Sequence, residues 1–407
     1  MSAASAAAVS GMDLAPHFVL VPMMAAGHAG PMLDMARTLS RRGALVTFVT
    51  TPLNLPRLGR APSDGALPIR FLPLRFPCAE AGLPEGCESL DALPGLGLLR
   101  NFNDACAMLR GPLVVLLRDR EGDAPPASCV VSDACHPWTG GVARELGVPR
   151  FSFEGFCAFS SLCMRQMNLH RIFEGVDDDN TRPVRVPAFP IHVEISRARL
   201  VRSSLPQLVE IGHGLEATKR PFIWVVKPGN LAEFERWLSE DGFESRVGET
   251  GLVIRDWAPQ KAILSHPATG AFVTHCGWNS VLECVTVGLP MVSCPHFAEQ
   301  FMNEKLVVDV LRVGVPVGVK GAAQWCVEAE GVLATRQDVE GAVAAVMDCG
   351  EEGSARRARA AELGRKAREA VVHGGSSFRN VALLIQHVQQ RTSTRNTWIE
   401  KKPSDRR

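Results

Sequence analysis

The residues that could do chemistry fall in three places. His28 lies in Gly27-His28-Ala29-Gly30-Pro31, a Gly-flanked turn just after an apolar strand. Asp133 ends a second apolar strand, Cys129-Val130-Val131-Ser132-Asp133. Both side chains can therefore reach the carboxyl edge of one sheet. A His paired with an Asp is a general base, because the carboxylate fixes the tautomer and stabilises the imidazolium. Position alone leaves open the alternative of two unrelated polar residues on loops.

The third place is denser. Trp257-Ala258-Pro259-Gln260 follows a strand and opens a helix. His275-Cys276-Gly277-Trp278-Asn279-Ser280 joins a strand over 270–274 to a helix over 278–288. A helix start bearing Gly, Asn and Ser offers N–H groups and hydroxyls to a phosphate. Glu283, in the second turn of that helix, could meet a ribose. Glu299-Gln300 follows a further strand and could hydrogen-bond sugar hydroxyls. Taken singly these residues read as ordinary caps and core, Asn279 and Ser280 as N-caps and Trp257 as packing. Taken together, polar groups at successive strand ends favour a nucleotide site.

Other signals are weaker. Gly212-His213-Gly214-Leu215-Glu216-Ala217 fits G-x-G-x-x-A, but no strand precedes it and the pattern around it is helical. His296-Phe297-Ala298-Glu299 lacks the H-E-x-x-H spacing of a zinc site. There is no G-x-S-x-G and no phosphate-binding G-x-x-x-x-G-K-[ST]. The cluster Arg356-Arg357-Ala358-Arg359 reads as a solvated helix face.

The elements that must hold these residues alternate between short apolar strands and amphipathic helices, the pattern of an α/β fold with parallel sheets. Strands are expected at 17–23, 44–50, 129–133 and 149–153, with helices at 32–41, 101–118 and 137–146. Pro183, Pro187 and Pro190 argue against regular structure over 174–199, where the acidic run Asp177-Asp178-Asp179-Asn180 also lies. The alternation resumes with a helix over 205–218, strands at 222–226, 252–254, 270–274 and 290–293, and helices over 336–347, 355–371 and 378–390. The expected organisation is a loose leader over 1–16, a first doubly wound domain over 17–200 and a second over 201–377. A terminal helix follows to 391, then a polar, frayed tail over 392–407. Ligands of such sheets bind beyond the carboxyl ends of the strands. A cleft between two facing halves would be a common place for a site.

Composition bounds the function. The chain has 407 residues, enough for two domains, and 44 Lys and Arg against 43 Asp and Glu, which gives no bulk electrostatic case for nucleic acid or a membrane surface. It has no Tyr, so mechanisms that need a phenol are excluded. No apolar run approaches the ~18–20 residues that span a bilayer, and the N-terminus lacks the features of a targeting signal. The 12 Cys are scattered without zinc or disulfide spacing and read as free thiols in a reducing cytosol.

The stretch from Trp257 to Gln300, opening WAPQ, containing HCGWNS and closing EQ, resembles the plant secondary product glycosyltransferase box of the UDP-dependent glycosyltransferases. The resemblance extends over most of the chain, and 153–174 is similar to flavonoid- and phenolic-glucosylating members. It implies a GT-B fold of two Rossmann-like domains facing a cleft, with acceptor bound by the first and UDP-sugar by the second. It implies that Trp257 stacks on uracil and that Ala258 and Gln260 hydrogen-bond it. Glu283 would hold the ribose, and His275, Asn279 and Ser280, around Gly277, the phosphates. Trp278, Glu299 and Gln300 would contact the sugar, Gln300 being similar to glucose-using members. His28 matches the family's base and Asp133 its partner.

The implied reaction is inverting transfer of glucose from UDP-glucose to a small lipophilic hydroxyl acceptor. The helix start at Trp278–Ser280 would take the leaving charge in place of a metal. No cofactor, nucleic acid or membrane insertion is expected, and the expected compartment is the cytoplasm. The sequence also departs from the family. Ile195-Ser196-Arg197-Ala198-Arg199 runs almost directly into Leu200-Val201-Arg202-Ser203-Ser204, where members carry a linker and the first strand of the second domain with a Phe-Gly-Ser loop. Cys294 stands where an aromatic is common, and Ala26 where Gln is common. The rival readings are a truncated homologue that at most binds UDP-sugar weakly, and a nucleotide-cofactor oxidoreductase. The latter is disfavoured because the first turn is not G-x-G-x-x-G.

Overall fold

The structure is a computed structural model that describes residues 15–58, 69–119, 125–172, 174, 183–195, 205–226, 231–255, 257–296, 299–319, 332 and 334–400. The chain divides into two compact units, Met1–Gly155 with His373–Arg407, and Phe156–Val372.

In the first unit the strands are β1 (His17–Val21), β2 (Leu45–Thr50), β3 (Ile69–Pro73), β4 (Cys129–Asp133) and β5 (Arg150–Phe153). They form one parallel sheet in the order β3-β2-β1-β4-β5. Helices α1 (Ala26–Ser40), α2 (Leu99–Met108), α3 (Arg110–Asp119) and α4 (Thr139–Leu146) accompany it. Every residue of β1 is buried, as expected for a central parallel strand covered on both faces. Phe18 and Leu20 pack into one cluster with Met32, Leu33 and Phe48, while Val19 and Val21 pack into another with Phe102, Leu113 and Val142.

The second unit begins with α5 (Ala158–Leu169) and a short antiparallel pair, β6 (Val184–Arg185) with β7 (Glu194–Ile195). Next come α6 (Leu205–Ala217), β8 (Phe222–Val226), α7 (Leu231–Asp241), α8 (Phe243–Val247) and β9 (Gly251–Arg255). They are followed by α9 (Gln260–Ser265), β10 (Phe272–Thr274), α10 (Trp278–Val287), β11 (Met291–Ser293) and α11 (Gln300–Lys305). The unit ends with β12 (Gly314–Pro316), α12 (Arg336–Val346) and α13 (Glu351–Val371). Among the described residues β8 and β9 form one parallel sheet, and β10, β11 and β12 another. Residues 196–204, where the resemblance implies an absent strand, lie outside the described residues, as does the acidic run at 177–180. The last helix, α14 (Ser376–Glu400), belongs to the first unit, where Val388 is fully buried beside Phe18 and Phe48.

Several expectations need correction. By packing, the described residues of 156–195 group with the second unit, not with the first domain expected to reach 200. Cys163 of α5, Val186, Val193 and Ile195 share a buried cluster with Met302 of α11. The three prolines of 183–190 permit a two-residue ladder, because none occupies a paired position. The tail expected to fray from 392 is helical to Glu400, since α14 is anchored on the first unit's core. Helix 101–118 is two helices meeting at Leu109. Arg356 is not on a solvated face: its guanidinium is buried and caps the Ala345 carbonyl at 2.9 Å. None of the described helices is long and apolar enough to cross a membrane.

The G-x-G-x-x-A run lies within α6. Its glycines are packing positions: a Cβ on Gly212 would meet the Trp224 ring at 2.9 Å, and one on Gly214 would meet Val339 Cβ at 2.6 Å and the Arg336 carbonyl at 2.9 Å. Gly214→Ala should therefore lower stability by roughly 1–3 kcal/mol through overpacking, although Ala gains up to ~1 kcal/mol in helix propensity. Denaturant midpoints would show the drop. A stabilised variant would mean that α6 and α12 are not in close contact.

Candidate functional site

In the first unit, sheet order reverses at the β1–β4 pair. That is the topological switch point where doubly wound sheets bind ligands. The register sets Val21 opposite Ser132, so Asp133 is the next residue at the carboxyl edge. His28 is not in a loop before the helix, as the turn-like sequence suggests. It lies in the first turn of α1, because the helix starts at Ala26. Ala25 is extended, and its short side chain cannot cap. The Asp91 carboxylate accepts the Ala26 N–H at 2.7 Å instead. An anionic cap suits the positive end of the helix dipole.

This geometry brings His28 Nδ1 to 2.7 Å from Asp133 Oδ2. The Asp133 side chain is 3% exposed and that of His28 is 23% exposed. The dyad expected from sequence is thus formed. Asp133 Oδ1 accepts the Cys135 N–H at 2.9 Å. Burial works against the Asp133 carboxylate, but the His28 hydrogen bond and charge, with the Cys135 N–H, outweigh it and hold its pKa below the ordinary value. Nδ1–H of His28 donates to the carboxylate, which leaves Nε2 as the basic nitrogen.

Two neighbours of the dyad could not be read from sequence. Arg150, at the start of β5, donates through Nε to Ser132 Oγ at 2.9 Å and to Thr139 Oγ1 at 2.7 Å, and its Nη2 lies 3.3 Å from the His136 carbonyl. It ties the end of β4 to the turn that leads into α4. His136 is buried, with Nε2 3.1 Å from the Pro22 carbonyl, and so joins that turn to the end of β1. Neither lies in a motif. The only sequence signal is a lone Arg opening a short strand of alternating Phe and Ser.

In the second unit Trp257 is 78% exposed, just before α9, and so is not core. Ala258 is half-buried beside it. Gln260 Nε2 donates to Glu283 Oε2 at 2.8 Å and lies 3.4 Å from Ser280 Oγ. Lys261 Nζ is 3.8 Å from the other Glu283 oxygen. The structure thus brings Gln260, Ser280 and Glu283 together across α9 and α10. Gly277 precedes α10 and has no side chain to cap it. A Cβ there would collide with His275 Nε2, so only glycine lets the imidazole lie over this backbone. The His275 ring stacks on that of His296, with centroids 6.3 Å apart and 10° between planes. Cys276, between them in sequence, is left-handed with φ 62°, and burial pushes its thiol pKa well up, which makes it a packing residue rather than a nucleophile.

Asn279 is half-buried in the first turn of α10. Trp278 packs on a cluster with Val281, Cys284 and Met291. Glu299 and Gln300 are buried, and Gln300 Oε1 accepts the His296 N–H at 2.8 Å. Phe297 and Ala298 lie outside the described residues. Among the described residues no three His, Cys, Asp or Glu side chains are placed to hold a metal ion.

Residues 203–348 match the family described as UDP-glucoronosyl and UDP-glucosyl transferase. UDP-glycosyltransferase 73E1 of Stevia rebaudiana is 35% identical over an alignment that covers 92% of this chain and 96% of that protein. The alignment runs over 483 residues against this chain's 407, so part of the relative has no counterpart here. The crystal structure of UGT73P12 from Glycyrrhiza uralensis, complexed with glycyrrhetinic acid 3-O-monoglucuronide, is similar with TM-score 0.81 and 27% identity, over 95% of this chain and 98% of that one. UGT89C1 of Arabidopsis thaliana, solved with UDP and with quercetin, matches with TM-score 0.68 and 26% identity, over 92% of this chain and 100% of that one.

The dyad generates a prediction about acid stability. Because the folded pKa of Asp133 is depressed, its contribution is present above an unfolded value near ~4 and is lost as pH falls through the folded one. His28→Ala leaves the burial cost without its largest offset, so the folded pKa of Asp133 should rise. The stability gap between wild type and variant should be widest at neutral pH and narrow toward pH ~3. Urea unfolding across that range measures it. A gap independent of pH would mean that the pair is not coupled.

Proposed function

The chain belongs to the plant UDP-glycosyltransferase family, whose members transfer a sugar from a UDP-sugar to an acceptor, and on that premise we propose that it glucosylates a small lipophilic hydroxyl compound of the flavonoid or phenolic class. UDP-glucose is the donor, the reaction inverts the anomeric centre, and no metal ion takes part. The observation that carries this reading is the 2.7 Å contact between His28 Nδ1 and Asp133, which leaves Nε2 as the base. Nε2 takes the proton of the acceptor hydroxyl as its oxygen attacks the anomeric carbon. The bond from that carbon to the UDP oxygen breaks on the opposite face. Asp133 stabilises the imidazolium meanwhile.

Trp257, exposed and apolar, is the stacking surface for uracil, with Ala258 and Gln260 beside it. Glu283 receives the ribose hydroxyls. His275, Asn279 and Ser280 hold the diphosphate around Gly277, where the first-turn N–H groups of α10 favour negative charge. Trp278, Glu299 and Gln300 serve the sugar, and Gln300 supports glucose. The quercetin complex of UGT89C1 and the glycyrrhetinic acid glucuronide complex of UGT73P12 support an acceptor that is rigid, largely apolar and hydroxylated. The free thiols of the described residues support a reducing cytosol.

One observation favours a second reading, a homologue that binds UDP-sugar weakly or not at all. The described strands of the second unit fall into two sheets where a doubly wound domain has one. The two readings separate on thermal melting: saturating UDP should raise the Tm of a competent chain, and a saturated site at 100 times Kd stabilises by about 2.7 kcal/mol.

With UDP-glucose and a panel of phenols, the purified chain should release UDP and form glucosides with EDTA present. His28→Ala should lower turnover by about 10²–10⁴-fold, the usual worth of a general base, and leave UDP affinity unchanged. Unchanged turnover would remove His28 from the mechanism. Trp257→Ala should weaken UDP binding by about 5–100-fold, the worth of one base stacked on an aromatic ring, in calorimetric titrations. Equal affinities would place the uracil elsewhere.

A further inference from the structure

Asn303, on α11, is fully buried and lies outside the stretch from Trp257 to Gln300. Its Nδ2 donates to the Cys276 carbonyl at 2.8 Å. Its Oδ1 accepts from Ser160 Oγ, on α5, at 2.5 Å. Ser160 and Cys276 are also fully buried. The carbonyl is an acceptor only, so the amide must turn its NH2 to Cys276 and its oxygen to the hydroxyl. The reverse orientation would set two acceptors face to face. The Cys276 carbonyl thus sets the orientation of the amide, and the Ser160 hydroxyl donates to the oxygen left on the other side and anchors it there.

Cys276 needs that support. It is a non-glycine residue in the left-handed region, a conformation that persists only where its surroundings fix it. Thr274 Oγ1 holds its N–H at 3.2 Å, and Asn303 holds its carbonyl. A trans peptide sets C=O and N–H antiparallel, so anchoring the Cys276 carbonyl also directs the Gly277 N–H away from Asn303. Gly277 opens α10, and His275 lies over it. Three residues earlier on the same helix, Gln300 holds the His296 N–H. Residues at this spacing share a helix face. One face of α11 thus fixes the backbone after β10 and after β11.

We propose that Asn303 is a positioning residue for diphosphate binding, which sets the His275–Gly277 turn through the Cys276 carbonyl and is itself anchored by Ser160. The inference rests on the reading that this turn receives the diphosphate of UDP. It touches no ligand and acts through the backbone.

Calorimetric titration with UDP and with uridine tests it. Asn303→Ala should weaken UDP by about tenfold, the worth of a buried hydrogen bond, and leave uridine affinity unchanged, because uridine lacks the phosphates. Ser160→Ala removes only the group that anchors the amide oxygen, and should give the same selective loss to a smaller extent. This second variant decides the matter if Asn303→Ala does not fold. Equal losses for UDP and uridine would reveal general damage and overturn the proposal, as would an unchanged UDP affinity in whichever variant folds. A wild-type chain that binds neither ligand would overturn the nucleotide reading, and the proposal with it.

Discussion

A buried carboxylate is tolerated only when it is paired, and the first unit is organised around that constraint at Asp133. Its oxygens are met by the His28 imidazole and by the N–H and thiol of Cys135. Each has structural prerequisites. His28 reaches the carboxylate because β1 and β4 are neighbours in register and because α1 starts early, at a residue capped by Asp91. The turn after β4 is tied by Arg150 and by His136. Loss of any of these would weaken the pairing of that charge, so the fold and the proposed base depend on the same few contacts.

The second unit solves a different problem, the placing of backbone rather than of charge. A diphosphate is best met by N–H groups, whose directions are set by peptide planes. The turn between β10 and α10, which we propose receives it, carries a left-handed Cys276, a Gly277 whose missing Cβ leaves room for the His275 ring, and side chains of α11 that hold its neighbours. The conspicuous residues of the stretch are those proposed to touch ligand, while Asn303 and Ser160, proposed to aim them, lie outside it and are fully buried.

This division explains how much could be read from sequence. Strands such as Cys129–Asp133 and Phe222–Val226 coincide with expectation because buried parallel strands are short apolar runs with clear ends. His28 and Asp133 were legible because each follows such a run. The start of α1 was not, because its cap is supplied from 65 residues away. Nor were the pairing of 184–185 with 194–195 and the grouping of α5 with the second unit, which rest on apolar contacts to Met302. Tertiary partners that are distant in sequence leave no local pattern. Asn303 and Arg150 belong to the same class: each is a single polar residue whose meaning lies in what it meets.

The sheets of the second unit bear on how the donor residues stay together. A two-stranded parallel sheet is marginal by itself. Here β8 and β9 are supported on one face by Trp224, Trp237, Phe234 and Phe243, which make mutual edge and tilted ring contacts. On the other face Ile223, Val225 and Leu252 are exposed. Trp257 and Gln260 follow β9, whereas His275, Ser280 and Glu283 follow β10 of the other sheet. No strand pairing joins the two groups among the described residues. The hydrogen bond from Gln260 to Glu283, with Ser280 close by, is then a direct polar tie between the segment assigned to uracil and the segment assigned to ribose and phosphate. Within a continuous sheet that contact would be one of many. Here the two sheets are held by apolar packing, Val226 and Val253 sharing a buried cluster with Val292, Cys294 and Val317, and the Gln260–Glu283 bond adds a polar tie made of side chains that a ligand would itself engage.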